Sequence, residues 1–318
     1  MPQLQVEVDH LIGIKDISDI TGIPERTVSY KLKNAGIKPD KVVDKRHYYQ
    51  RDKVVLLFSQ AKGSLTAKII CFANQKGGIG KTTSALNLGL ALSSKGHKTA
   101  IIDFDPQANL SGQFCKPDTL SGTIGNLLDL NEFGFNSFSE DRVKQTHSET
   151  LTIFPSNIKL AGFLVPKGPG DYDRLDEFCK KHLDEFSYIL IDCPPTLDIK
   201  LINALIASDI CVVPSTPSHF SIQGMEDLAK TIKESLRRNK RLRVFSLINK
   251  FKPKLHLATL ASQVAEFFPV LETKIPDLTV IEKVQALPGK NLMELDKNVF
   301  KIYMTLADEI ENLFGGNK

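Results

Sequence analysis

The sequence predicts an α/β protein in which a mostly parallel sheet carries helices on both faces, preceded by a small α-rich domain. From Ala67 onward, short apolar runs alternate with longer amphipathic stretches. Continuous apolar strands separated by helices are typical of a parallel sheet that is buried on both faces. A loop rich in glycine and lysine, residues 76–83, joins the first apolar run to a helix. The first sixty-odd residues contain short helical patterns and no strong strand before Ala67, which predicts a separate small domain.

The apolar runs and the amphipathic stretches predict where the strands and helices lie along the chain. The apolar runs predict strands at 67–73, 99–103, 151–155, 187–192, 209–214, 243–249 and 270–275. The amphipathic stretches predict helices around 82–95, 172–185, 198–207, 220–237, 256–268 and 298–314. A Gly-Ser pair marks a linker at 63–66, so we expect one domain over 1–62 and a larger one over 67–318.

Composition indicates a soluble globular protein. Of 318 residues, 42% are hydrophobic and 25% charged, which allows a sizeable core. No run approaches the roughly 18 apolar residues of a membrane span, and the N-terminus lacks the basic-then-apolar pattern of a signal peptide. We therefore expect a cytoplasmic protein without a membrane partner. The five cysteines include no Cys-x-x-Cys pair, which predicts reduced structural thiols.

The loop after the first predicted strand has the composition of a phosphate-binding loop. It reads Lys76-Gly77-Gly78-Ile79-Gly80-Lys81-Thr82-Thr83. Glycines let successive backbone N–H groups surround a phosphate, and the following helix adds the partial positive charge of its N-terminus. Lys81 would place its charge on the β- and γ-phosphates, and the Thr82 hydroxyl would ligate Mg²⁺. The sequence thus predicts ATP and Mg²⁺ as cofactors.

Three aspartates follow predicted strands and are expected to converge on this loop. Asp103, Asp105 and Asp192 stand at or just beyond carboxyl ends of strands, where an α/β sheet binds its ligand. Phosphoryl transfer requires neutralised charge and an oriented water molecule. Asp192 would hold Mg²⁺ through a water molecule, Asp103 would support the metal shell, and Asp105 would orient the attacking water.

A basic segment lies in the last third of the chain. Residues 230–254 contain ten Lys or Arg and one acid, Glu234. Because this imbalance is too large for pairing between neighbouring helix positions, it predicts an anionic partner. The candidate DNA contacts are Lys233, Arg237, Arg238, Lys240, Arg241 and Arg243.

The N-terminal domain has the pattern of a helix-turn-helix. Ile17 and Ile20 mark one short helix, Gly22 the turn, and Gly36 the end of a second helix that Pro24 opens. This domain is only mildly basic, so a packing or dimerisation role remains an open alternative to DNA binding. The outward positions of the second helix are Glu25, Arg26, Ser29, Tyr30 and Lys33. The last four are the candidate contacts to bases and phosphates.

The phosphate loop departs from the usual Gly-x-x-x-x-Gly-Lys-[Ser/Thr] pattern. Gln75 stands at the first glycine, and Lys76 adds a second lysine. This arrangement resembles the deviant Walker A motif of the ParA/MinD superfamily, Lys-Gly-Gly-x-Gly-Lys-[Thr/Ser]. Residues 103–109 resemble its Asp-x-Asp-Pro-Gln-Gly-Asn motif, with Ala108 replacing the glycine, and 188–195 resemble its Walker B strand. The Pro-Gln pair favours the ParA branch.

The resemblance implies a homodimer that forms with ATP, in which Lys76 reaches the partner's nucleotide. Lys76, Lys81 and Asp105 would then be the catalytic residues. It also implies non-specific DNA binding through the basic segment, association with the nucleoid, and hydrolysis stimulated by a ParB-like centromere-binding protein. Related folds place an asparagine on the base edge; here Asn249 would take that role, with Pro276 and Asp277 near the ring.

Residues 44–55 resemble the wing and following helix of MerR-type DNA-binding modules. Together with the helix-turn-helix, they resemble the N-terminal module of larger plasmid ParA proteins, which implies binding to a specific operator and repression of the operon.

Three other classes of ATPase compete with this interpretation. An ATP-switched transcriptional repressor without a partition role fits the same motifs. A membrane-associated ATPase of the MinD kind would carry a basic amphipathic C-terminal helix, whereas residues 307–314 are acidic. An iron–sulfur ATPase reductase requires paired cysteines at a dimer interface, and the cysteines here lie elsewhere. A partition ATPase is therefore the favoured interpretation.

Overall fold

The computed structural model describes residues 11–21, 24–44, 46–50, 54, 67–115, 122–128, 143–162, 169–216, 221–251, 257–277 and 296–315. The predicted linker at 63–66 lies outside the described residues, as do Lys252 and Lys254 of the basic segment and all of the predicted helix after the wing except Val54.

The N-terminal module consists of two short helices and a small antiparallel sheet. Its elements in chain order are β1 Leu11–Gly13, α1 Ile14–Thr21, α2 Glu25–Asn34, β2 Lys41–Val43 and β3 Arg46–Gln50. The strand order is β1-β3-β2. The two predicted helices are present, and Pro24 caps α2 rather than occupying its first turn. Strand β1 was not predicted, because three residues are too few to show an alternating pattern.

The larger part of the chain is an α/β unit. Its strands are β4 Lys68–Phe72, β5 Thr99–Asp103, β6 Gln145–Ser148, β7 Leu151–Phe154, β8 Tyr188–Asp192, β9 Ile210–Ser215, β10 Arg243–Phe251 and β11 Ile275–Pro276. Its helices are α3 Lys81–Ser94, α4 Ile124–Leu128, α5 Arg174–His182, α6 Ile199–Ala207, α7 Ile222–Ser235, α8 Leu257–Ala265 and α9 Lys297–Gly315. Short 3₁₀ turns occupy Ser111–Gln113, Ile158–Gly162 and Pro169–Tyr172.

The eight strands form one sheet in the order β11-β10-β9-β4-β8-β5-β7-β6. Every pairing is parallel except that of β6, which runs antiparallel to β7 at the edge. Helices α3 and α9 pack on one face, and α4 to α8 contribute to the core on the other. The prediction of a mostly parallel sheet covered on both faces is confirmed.

Within the described ranges, no helix combines the length and the hydropathy needed to cross a bilayer. All five cysteines are free thiols, and four of them are buried. The four buried thiols pack within the hydrophobic core.

Asp209 ties three strands together at the amino edge of the sheet. Its Oδ2 accepts a hydrogen bond from the backbone of Ile69 at 2.8 Å, and its Oδ1 pairs with Arg241 Nε at 2.8 Å. Its own carbonyl accepts the Arg243 N–H. A cavity of about 490 Å³ opens beside these residues. It lies at the opposite edge of the sheet from the glycine-rich loop, so we do not assign it to the candidate site.

Replacing Asp209 by alanine leaves the buried Ile69 N–H without an acceptor. We expect the free energy of unfolding to fall by about 2 kcal/mol, because an orphaned buried donor keeps its full desolvation cost. Urea denaturation measures this. Asp184 lines the same cavity, is exposed, and makes no ion pair in the described part of the chain. Asp184→Ala should therefore cost less than about 0.5 kcal/mol, and equal losses would contradict the role of Asp209.

Candidate phosphate-binding site

The glycine-rich loop lies at the carboxyl edge of the sheet, between β4 and α3. Gly78 and Gly80 adopt left-handed backbone angles, with φ of 73° and 91°. Side chains with a Cβ atom avoid this region, so the glycines permit the turn. Gly80 is the N-cap residue of α3, and it has no side chain with which to cap the helix. The N-terminus of a helix that follows such a loop is suited to binding an anion.

Lys81 holds its amine beneath the loop. The side chain is buried, and Nζ donates to the carbonyl of Lys76 at 2.8 Å. Burial lowers the pKa of Lys81, while the charges of Asp192 and Asp105 oppose that change. The amine is therefore already close to the place where a phosphate group would enter.

Asp192 ends β8 with a carboxylate that is 1% exposed. Neither oxygen accepts a hydrogen bond in the described part of the chain. Burial and the neighbouring charge of Asp103 raise the pKa of Asp192 well above its usual value. The Thr82 hydroxyl lies near enough to oppose part of this rise, although the two groups do not reach hydrogen-bond geometry. Two buried oxygens without partners fit a cation or a metal-bound water molecule.

Asp103 lies beside Asp192 in the sheet, but its oxygens are occupied. Oδ2 accepts from the backbone and hydroxyl of Ser111 at 2.8 and 2.6 Å, and Oδ1 accepts from the backbone of Asp105 at 3.2 Å. Burial raises the pKa of Asp103 to about 6 against these hydrogen bonds. Its contacts shape the loop after β5. The assignment of Asp103 to the metal shell stays a prediction.

Asp105 faces a cavity of about 410 Å³ that also borders Lys81 and Thr82. Its Oδ1 accepts from the backbone of Gln107 at 2.9 Å, and its other oxygen makes no hydrogen bond to a described residue. The structure therefore brings together the loop and two of the three predicted aspartates with free oxygens.

Of the predicted base contacts, Asn249 lies against the loop. It is 2% exposed, and its amide donates to the carbonyl of Ile79 at 2.9 Å. Asp277 is exposed beyond β11, while Pro276 is half-buried. The contacts described for Asn249 are made with backbone groups of the chain itself, and the assignment of these three residues to the base stays a prediction.

Sequence reasoning missed several residues that line the cavity. Lys250 is one of them, and it has a left-handed backbone with φ of 52°. Strained positions of this kind concentrate at functional sites. The sequence shows only a lysine after a strand, which is no signal of this conformation. The other residues of the cavity wall that were not predicted as site residues are Leu86, Asn87, Gln107, Asn109, Gln113 and Pro195.

Part of the basic segment is compensated by acids from distant parts of the chain. Arg238 pairs with Asp173, and Arg241 pairs with Asp176 at 3.1 Å as well as with Asp209. Since the segment contains one acid, the sequence predicts that its positive charges are unpaired. This prediction is wrong for Arg238 and Arg241, because their acidic partners are distant in sequence.

Four other cations follow one another near the end of α7 and beyond it, and we call them the basic stripe. Lys230 and Lys233 lie on α7, and Arg237 and Lys240 lie in the turns after it. All four are exposed, and none has an ion pair within the described ranges. Arg243 lies outside the stripe and donates to the carbonyl of Leu313 at 2.8 Å.

The candidate contacts of the N-terminal module share one surface. Arg26, Ser29, Tyr30 and Lys33 are exposed on α2, and Tyr30 is 65% exposed. The opposite face of α2 buries Val28 in the small core. The predicted division of this helix into inner and outer faces therefore agrees with the structure.

These elements define a P-loop nucleotide-binding fold. They are a strand, a glycine loop with a buried lysine, a helix, and an aspartate at the end of a neighbouring strand. Comparison with known proteins narrows the class. The family described as "AAA domain" matches residues 67–244, more than half of the chain. The uncharacterized protein MJECL24 of Methanocaldococcus jannaschii is 35% identical over 244 residues, which cover 72% of this chain and 92% of that protein.

Two named relatives match a shorter region. The chromosome partitioning protein ParA of Myxococcus xanthus is 36% identical over 169 residues, and the sporulation initiation inhibitor Soj of Bacillus subtilis is 34% identical over 174. Each match covers 52% of this chain. The matches span 58% and 65% of those two proteins.

Solved structures share the fold. A putative plasmid partition protein of Borrelia burgdorferi, bound to AMPPNP, has a TM-score of 0.62 at 26% identity, covering 78% of this chain and 98% of that one. Cobyrinic acid a,c-diamide synthase of Mycobacterium smegmatis has a TM-score of 0.68 at 24% identity, covering 80% and 97%. The chain belongs to the AAA-domain family and, within it, to the ParA/MinD group of P-loop ATPases.

Replacing Lys250 by glycine should change the stability of the chain and its affinity for anions in opposite directions. Glycine removes the strain of a left-handed residue at some cost in chain entropy, so we expect the free energy of unfolding to rise by about 0.5 kcal/mol. Affinity for inorganic tripolyphosphate should fall, because the cavity loses a cation. Lys250→Ala is the matched control: it should lose the same affinity without the gain in stability. Calorimetric titration and urea denaturation measure the two effects, and unchanged affinity in both variants would remove Lys250 from the site.

Proposed function

We propose that this chain is a ParA-type DNA partition ATPase that binds ATP with Mg²⁺, forms a homodimer with ATP, and hydrolyses it. The observation that carries the proposal is a glycine loop bearing two lysines, set above the buried, unpartnered carboxylate of Asp192. Similarity to ParA and Soj, and to a plasmid partition protein bound to an ATP analogue, supports it. A ParB-like protein would stimulate hydrolysis, and the ATP form would associate with the nucleoid in the cytoplasm.

The residues around Asp192 fit Mg²⁺. The described part of the chain holds no cluster of three or more His, Cys, Asp or Glu side chains suited to a metal ion. A cation at Asp192 would therefore take its other ligands from the Thr82 hydroxyl, from phosphate oxygens and from water, which is the usual coordination of Mg²⁺ with a nucleotide. The bound ion would neutralise charge on the phosphates.

The protein groups supply orientation and charge. Lys81 would transfer its hydrogen bond from the Lys76 carbonyl to a phosphate oxygen, a short movement of a flexible side chain. The free oxygen of Asp105 would orient the attacking water and accept its hydrogen bond. Lys76 is half-buried beside a small recess that Ser221 and Gly224 also line. From this edge of the sheet it would reach the nucleotide of the second subunit.

The basic stripe would bind DNA phosphates without reading sequence. Helix α7 begins next to the phosphate loop, since Ser221 and Lys76 line one recess, and the stripe occupies the last turns of the helix and the residues after it. A helix of this length spans about 20 Å. Dimerisation at the loop would therefore bring two stripes to the same DNA molecule, which makes DNA affinity depend on ATP.

We further propose that the N-terminal module is a winged helix-turn-helix that contacts DNA through α2. The exposed row on α2 and the adjacent β2–β3 hairpin support this. Binding to an operator would add autorepression to partition. A repressor whose ATPase acts only as a switch is the second candidate, and the same exposed row favours it.

Lys76→Ala should separate nucleotide binding from dimerisation. Lys76 contributes no ion pair to the described part of its own subunit, so ATP affinity should change little, whereas the ATP-dependent dimer and hydrolysis should be lost. Sedimentation with ATP measures the dimer. Lys81→Ala is the control, because it removes the buried charge beneath the loop and should abolish binding itself. A normal dimer of Lys76→Ala with ATP would exclude its action across subunits.

Asp105→Ala should trap the ATP-bound dimer. The loop and Asp192 remain, so binding persists, while turnover falls by about two to four orders of magnitude, the usual contribution of a positioned acid–base group. Phosphate release and sedimentation on the same sample measure both properties. Unchanged turnover would assign water orientation to another residue.

A triple substitution tests the basic stripe: Lys233, Arg237 and Lys240, each to Glu. Binding to random-sequence DNA should require ATP in the native protein, weaken steeply with salt, and be lost in the variant, because each phosphate contact contributes about one unit to the slope of log K against log salt. The matched control places the same charge change on exposed lysines elsewhere, Lys181, Lys297 and Lys301. Equal DNA affinity with and without ATP, or equal loss in both variants, would favour the repressor.

A further inference from the structure

The cavity beside Asp209, at the amino edge of the sheet, is lined by elements that are distant from one another in sequence. Lys68 comes from β4, Lys180 from α5, Arg243 from β10 and Phe314 from α9. Its volume of about 490 Å³ is typical of cavities that hold a small molecule. Because the phosphate loop lies at the opposite edge of the sheet, a ligand in this cavity would be separate from a nucleotide at the loop.

Two cations of the cavity wall flank one aromatic ring. Lys68 Nζ lies 5.2 Å from the ring centre of Phe314, and Arg243 Cζ lies 5.7 Å from the same point. Among the described residues, the hydrogen bonds of these cations go to uncharged oxygens. Lys68 donates to the Tyr188 hydroxyl at 3.3 Å, and Arg243 donates to the Leu313 carbonyl at 2.8 Å. Two positive charges are therefore close together without a carboxylate from the described part of the chain.

The other two cations of the wall are compensated. Lys180 pairs with Asp176 at 2.6 Å. Arg241 pairs with Asp176 at 3.1 Å and with Asp209 at 2.8 Å. The charges on either side of Phe314 are therefore the ones that an anionic ligand would neutralise.

Lys68 and Arg243 also have N–H groups to spare. An ammonium group carries three N–H donors and a guanidinium group five, and each side chain uses one of them within the described ranges. Carboxylate and phosphate oxygens are the acceptors that such donors bind most strongly. The half-buried ring of Phe314 offers an apolar surface on which a planar group can pack.

We propose that this cavity is a second ligand site, for a small molecule that joins a planar apolar ring to a phosphate or carboxylate group. The anionic group lies between Lys68 and Arg243, and the ring packs against Phe314. Since Phe314 belongs to α9 and Lys68 to β4, the bound molecule also holds the end of the C-terminal helix on the sheet. The site does not depend on the proposed function.

Calorimetric titration of the full chain with four probes tests the chemistry of the ligand. The probes are phenyl phosphate, benzoate, inorganic phosphate and phenol. We expect phenyl phosphate to bind about tenfold more tightly than inorganic phosphate, which has no ring to pack on Phe314, and more tightly than phenol, which has no charge at neutral pH. The comparison of phenyl phosphate with benzoate identifies which anionic group the cations prefer.

Substitutions locate the bound probe. Lys68→Met and Arg243→Met should each weaken phenyl phosphate binding about fivefold, as for the loss of one partly exposed charged contact. The matched control is Lys98→Met, which removes an exposed lysine just before β5, outside the cavity wall. It should leave the affinity unchanged, as should Lys81→Ala at the phosphate loop.

Hydrogen exchange provides a second measurement. The peptide spanning residues 308–315 should exchange more slowly when phenyl phosphate is bound, because the ligand holds the end of α9. Lys68→Met should lose this response. It decides the question even if Arg243→Met frays the helix by removing the hydrogen bond to the Leu313 carbonyl.

Three results would overturn the proposal. The folded native chain could bind neither phenyl phosphate nor benzoate at millimolar concentration. Lys98→Met could weaken binding as much as Lys68→Met, which would show that affinity follows net charge alone. Binding could be lost in Lys81→Ala and unchanged in Lys68→Met, which would assign the anion to the phosphate loop and leave the proposed function intact.

Discussion

A carboxylate buried without a hydrogen-bond partner is costly, and the chain places one at the centre of its site. Asp192 is 1% exposed, and its oxygens accept no hydrogen bond within the described ranges. An isolated buried charge is normally avoided by a change of protonation state, and the raised pKa of Asp192 is consistent with that. The elements around Asp192 together form the candidate site. The parallel sheet supplies the buried strand end, and the loop supplies Lys81 and Thr82 close by.

The sequence was sufficient where local patterns carry the information. Most strand and helix positions of the α/β unit agree with the structure to within a few residues, since buried strands are apolar throughout and helices show their own periodicity. The strand predicted at 270–275 is wrong in its bounds, because only Ile275–Pro276 forms a strand there and Val270 makes an isolated bridge. The strand, loop and helix over residues 68–94 were predicted correctly, because the loop has glycines and lysines at a recognisable spacing. The short edge strand β6 was missed, as its four polar residues carry no such pattern.

The sequence was insufficient where a side chain's role depends on a distant partner. The pairing of Arg238 with Asp173 joins residues 65 positions apart, and the contact of Asn249 with Ile79 joins residues 170 apart. The same limit applied to Asp103, whose hydrogen bonds to Ser111 depend on the path of the loop after β5. The sequence indicated where these residues lie along the predicted elements, but it did not indicate which groups their side chains contact.

The small core of the N-terminal module includes Val54, which is fully buried with Ile17, Val28, Leu32 and Tyr49. This residue comes after the last strand of the module, so the hydrophobic unit closes only when the chain has passed beyond the β-hairpin. A fragment ending at Gln50 would expose the apolar side of both helices to water and would be prone to aggregation. A cut intended to release the module as a folded piece must therefore fall after residue 54.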